Sequence, residues 1–151
     1  MVAVKTLVNA AFGYVILGLL SGFYYRELTK AHDFDGRTQL ATVHTHLLVL
    51  GVVFLLVVLA LEKLFTLSAN PMYRWFTITF HAGVIVTVAM MTVHGTMQVL
   101  DKEVSPAFSG IAGLGHILLT VAFVLFFLTL RSAVTTPAQP AVAGEEQQPV
   151  S

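Results

Sequence analysis

The chain has 151 residues, no formal net charge, no cysteine, and only 11% charged against 56% hydrophobic residues, with a mean hydropathy of +0.82. Soluble domains carry about 25% charged residues, so this composition describes one integral membrane domain. Neutrality removes the electrostatic footprint of a nucleic-acid binder, and the missing cysteines remove disulfides, thiolate metal sites, iron–sulfur clusters and covalently attached haem.

A helical span needs about 20 mostly apolar residues. Four runs satisfy this, at 7–25, 40–61, 75–100 and 108–130. They are continuous rather than alternating, which favours helices over barrel strands. The expectation is an all-α, four-transmembrane-helix up-down bundle over residues 1–132, with a disordered tail over 133–151. That tail is rich in proline and carries Glu145 and Glu146. The first run reads as a retained span, because no small-residue cleavage pattern follows it.

In chain order, the first span carries Gly18 and Gly22, a spacing that lets helices approach closely. It suits packing inside the bundle or a homo-oligomer face. Loop one, 26–37, is the most polar segment, with a turn at Asp35–Gly36 and Thr38 placed to cap the second helix. Tyr73 and Trp75 suit the membrane interface. Lys5, Lys63, Arg74 and Arg131 on one side balance Arg26, Lys30, Arg37 and Lys102 on the other, so the positive-inside rule gives no orientation.

Ionisable groups inside hydrocarbon are functional candidates. His44 and His46 lie near the start of helix two, His94 near the end of helix three, and His116 near the start of helix four. At 1.5 Å per residue all four fall roughly 6–12 Å below one surface. His81 lies about 9 Å from the other and is read as an interhelical hydrogen-bonding group. His44 and His46 point about 200° apart, so a regular helix offers one of them to a given ligand. The expected site is a b-type haem between helices two and four, ligated by His44 and His116 and serving electron transfer, haem handling or gas sensing. Arg37 would pair a propionate, and Gly51 and Gly113 would leave room for the macrocycle. His46 is the first replacement for His44, and His94 stands in reserve. Copper held by histidines with Met90, Met91 or Met97 is the alternative cofactor. A non-catalytic bundle using histidines as glue is the third reading. No triad, carboxylate pair or phosphate loop marks an enzyme, and an unnamed redox partner would complete an electron-transfer role.

The stretch V-H-T-H-L-L-V-L-G resembles the second helix of haem–copper oxidase subunit I and its nitric-oxide-reductase-like relatives. There the histidine in the position of His44 ligates a low-spin haem. In that fold the helix enters from the outer side, which implies that loop one and loop three, the short connection at 101–106, lie outside and the termini in the cytoplasm. Over nearly its whole length the chain resembles a small bacterial four-helix membrane family of unknown function. The marks are S-G-F-Y-Y-R-E-L-T-K, T-Q-L-A-T-V-H-T-H-L-L-V-L-G, L-E-K and S-G-I-A-G-L-G-H-I-L-L. That resemblance implies a protein of the bacterial cytoplasmic membrane with histidines on helices two and four, and no set activity.

Overall fold

A computed structural model describes residues 2–103 and 106–135. Among these there are four long helices and no strand: α1 (Val2–Ala31), α2 (Leu40–Phe65), α3 (Met72–Val99) and α4 (Pro106–Thr135). All four are long and apolar enough to cross a membrane. Each is longer than its apolar run, by two residues in α3 and by more in the others, since a helix keeps its backbone paired through the interfacial layer as well. The segment read as a disordered tail lies, after Thr135, outside the described residues.

α2 and α3 pack side by side, α1 packs chiefly against α2, and α4 packs chiefly against α3. Small residues set the spacing. A Cβ at Gly83 would stand 2.9 Å from the Leu119 backbone nitrogen, and one at Gly115 would stand 2.9 Å from that of Thr87, so α3 and α4 meet backbone to backbone. Gly18 and Gly22 are used inside the chain: they face Leu48 and His44 on α2. At its inner end, meaning the end of the bundle away from loop one, α4 also reaches α2. Phe54 lies 5.1 Å from Phe123 and 5.3 Å from Phe126 between ring centroids, with Phe76 and Phe80 of α3 completing an aromatic clamp.

Helix α2 is not regular. Leu47–Phe54 forms a π-helical stretch that begins directly after His46. Gly51 packs under the Tyr14 ring of α1, where a Cβ would come within 2.7 Å of the Tyr14 Cβ. Three residues on, Phe54 turns to α3 and α4 instead. The wider turn lets one segment serve two different neighbours.

The loops are held by side chains. Thr38 accepts the Leu40 N–H at 3.2 Å, a cap contact, and donates to the Gly95 carbonyl at 2.8 Å, tying the start of α2 to α3. In loop one the left-handed residue is Asp33 (φ 46°) rather than Gly36. Buried Glu62 accepts the Ser68 N–H at 2.8 Å and the Ser68 hydroxyl at 2.5 Å, closing the turn after α2. That turn passes through Thr66 at φ 50°, ψ 54°. A β-branched residue is strained there, by about 1–2 kcal/mol relative to glycine. Thr66→Gly is therefore expected to stabilise the bundle by up to about 1 kcal/mol once the looser unfolded chain is counted. A raised midpoint of thermal unfolding in micelles is the expected reading, and a lowered one would show that the threonine side chain holds the turn.

Candidate functional site: the histidines of the outer half

Each histidine can be placed by what its neighbours touch. His44 turns to α1. Its Cβ and Cγ lie 3.8 and 3.9 Å from where a Cβ on Gly22 would be, and its Nδ1 is buried with no hydrogen-bond partner. His46, two residues on, points about 200° away from it. That carries it off α1 and onto the flank where α4 lies.

The His46 ring is set by its own helix, with Nδ1 3.0 Å from the Thr42 carbonyl oxygen. A carbonyl only accepts, so Nδ1 carries a proton, and the tautomer of the neutral ring that makes this bond has its lone pair on Nε2. This is the arrangement of a metal-ligating imidazole whose other nitrogen is held by a backbone carbonyl.

His116 occupies the matching flank of α4. The buried side of that helix, Gly115, Leu119, Ala122 and Phe126, faces α3. Phe123, which meets Phe54 of α2, is two turns below His116 and only about 20° round from it. His116 is therefore directed along the α2 side, and it sits at the exposed margin of the helix. Gly113, one turn outward, has nothing within 4 Å of a built Cβ, and neither has Gly110. The rings that join α2 to α4 all lie at their inner halves. Helix period directs His46 and His116 to the facing sides of the outer halves of α2 and α4.

Depth separates the two candidate pairs. Gly95 meets Leu40, and Gly115 meets Thr87. These marks are eight residues, about 12 Å, apart along α3. Counting inward from them, His44 and His116 differ in depth by about 7.5 Å, and His46 and His116 by about 4.5 Å. On this count His46 lies nearer the level of His116 than His44 does.

The remaining residues fall elsewhere. Arg37 is exposed in loop one, and Gly51 is filled by Tyr14 rather than open. Gly95 faces α2 and Thr96 meets Tyr24 of α1 at 3.1 Å. His94, about 100° before Gly95, is thereby turned to the α4 side. By the same count along α3 it is about 12 Å outward of His116. Among the described residues no group of three or more histidine or carboxylate side chains converges on one point. His32 bonds the Leu28 carbonyl in its own turn at 3.0 Å. His81 bonds the Tyr14 hydroxyl at 2.8 Å, which is the interhelical role read from sequence.

Two partners escaped the sequence reading. The Thr42 carbonyl was within reach of a simple rule, since i−4 carbonyls are the nearest acceptors to a helical side chain. Tyr14 carried a signal too: a tyrosine in mid-span needs a partner for its hydroxyl.

A family model described as protein of unknown function (DUF2871) matches residues 4–133. The chain belongs to that family. No curated protein and no solved structure matches it. The DUF2871 match spans all four helices and includes every histidine of the chain. The comparisons show no relationship to haem–copper oxidases, and the likeness in helix two rests on its dozen residues.

Proposed function

We propose that this chain is a haem b-binding membrane protein, in which His46 and His116 would hold the haem in a groove between the outer halves of α2 and α4. One observation carries the reading: the Thr42 carbonyl holds the Nδ1 proton of His46, which leaves Nε2 as an unprotonated donor on the groove side. The donor set fits the group. Helix period aims two imidazoles to the same side, and a Cβ at Gly110 or Gly113 would meet nothing within 4 Å, which supports space beside them. With both imidazoles committed to it, the haem would supply one-electron transfer rather than a place for a gas or a substrate. Electron carriage thus suits this site better than gas sensing. His44, with its buried and unpartnered Nδ1, is the second choice on α2.

The test is an absorption spectrum of protein purified from membranes with haem supplied. The expected result is a sharp reduced α band and a Soret band at one haem per chain. Protein that stays colourless under these conditions overturns the reading. Copper retained at one equivalent and lost on His94→Ala would move the assignment to the histidine–methionine alternative.

The same proposal sets the chain in a bacterial cytoplasmic membrane with loops one and three outside. Its support is the helix-two resemblance. Reporter fusions at 103 and at the C-terminus should give opposite signals, and a periplasmic C-terminus would reverse the orientation.

A further inference from the structure

On the other flank of α3, between α1 and α3, the bundle is open to lipid, because α4 packs on the far side. Two clefts lie end to end along this seam. The inner one, about 320 Å³, is lined by Leu7, Thr77, Ile78 and, at its mouth, Arg74. The one nearer mid-membrane, about 340 Å³, is lined by Ala10, Gly13, Leu17 and Ile85. His81 lines both, and Tyr14 lines the second. Each is large enough for a small ring system, in the lower part of the size range of ligand pockets, and both walls are mostly apolar.

The polar element at the junction is the Tyr14–His81 pair. The hydroxyl and Nδ1 are 2.8 Å apart, and the two rings stack with centroids 5.7 Å apart and 14° between planes. The pair has two neutral forms. If Tyr14 donates to Nδ1, Nε2 carries a proton and donates outward. If Nδ1 donates to the Tyr14 oxygen, Nε2 is a bare acceptor and the hydroxyl proton is free. A group in the cleft can therefore meet a donor or an acceptor at Nε2 without any other side chain moving.

We propose that this seam is a binding site for an isoprenoid quinone. Its headgroup would sit against His81 and its tail along Gly13 and Leu17 towards mid-membrane. The chemistry selects this occupant. A quinone offers a carbonyl that needs a donor, and the quinol offers a hydroxyl that needs an acceptor. A histidine whose free nitrogen serves either need holds both forms. An acyl lipid presents no such change, and its headgroup would sit at Arg74 rather than at His81. The site lies across α3 from the haem groove and does not rest on that assignment.

The chain has one tryptophan, Trp75, adjacent to Arg74 on the helix that forms one wall of the seam. Quinones quench tryptophan fluorescence, so the full-length protein in micelles can be titrated with short-tail benzoquinone and naphthoquinone analogues. Saturable quenching is expected. Tyr14→Phe, which keeps the ring, should weaken binding about tenfold by removing the tautomer partner. Gly13→Leu should abolish saturation, and the fold tolerates it because nothing lies within 4 Å of that Cβ. Quenching that is linear in the quinone, and equal in wild type and Gly13→Leu, is partition into the micelle and overturns the proposal. Competition by decanoate as effective as that by the quinone analogues would assign the seam to an anionic lipid at Arg74 and overturn it equally.

Discussion

His46→Ala and His116→Ala are each expected to remove the low-spin haem spectrum, while His44→Ala keeps it. The argument is directional. His44 faces Gly22 of α1, and about 200° further round the helix His46 faces the groove. Ligand loss is close to all-or-none for a bis-histidine haem, because a five-coordinate iron has a different spin state as well as a lower affinity. Even groups that only support a metal ligand change affinity about 10–100-fold, so removal of a ligand itself should exceed that. Haem stoichiometry and the reduced α band measure the outcome. A spectrum lost in His44→Ala and kept in His46→Ala would restore the pairing read from sequence, and it would require α2 to rotate away from α1 on loading.

The second large effect is mechanical. Gly115→Leu should cost about 3 kcal/mol or more, at the upper end of what overpacking does, since its Cβ would meet the Thr87 backbone nitrogen at 2.9 Å as well as the Thr87 hydroxyl, and the backbone cannot swing away. No rotamer relieves a clash at Cβ, so α4 would have to leave α3. In lipid this loss is not offset by apolar burial elsewhere, because close packing is what joins membrane helices. Gly113→Leu, two residues away on the open face, should stay within about 0.5 kcal/mol of wild type, as surface changes do. The same leucine occupies the space beside His116, so haem uptake should fall while unfolding in micelles is unchanged. A Gly115→Leu protein as stable as wild type would show that the contact between α3 and α4 is looser than the 2.9 Å approach indicates.

Much of the fold was legible because the spans announce themselves. An apolar run of 20 residues has few alternatives in lipid, and the four expected helices match those observed. The arrangement around the axis was not legible. Depth counts placed His44, His94 and His116 in one layer by assuming equal starts and no tilt. Contacts at Gly95 and Gly115 then showed that the layer is stepped. The split between His44 and His46 followed from helix period alone, but period cannot say which flank meets which neighbour. That depended on where glycines let helices close up. Gly18, Gly22, Gly83, Gly95 and Gly115 are contact points, while Gly110 and Gly113 are open, and their sequence surroundings do not distinguish them. Gly51 was read as room for a macrocycle, yet it makes room for Tyr14.

The π-helical stretch at Leu47–Phe54 separates the two tasks of α2. Above it stand the histidines, and below it stands the aromatic clamp that docks α4. Such a stretch is equivalent to one residue more than an α-helix of the same rise would hold. Deleting a residue from it would restore regular winding and turn one half against the other by about 100°. His46 and Phe54 could then no longer both address α4. The widened turn acts as a phase adjuster, so a lineage could re-aim the histidine end by a one-residue insertion or deletion here while leaving the clamp's own sequence untouched.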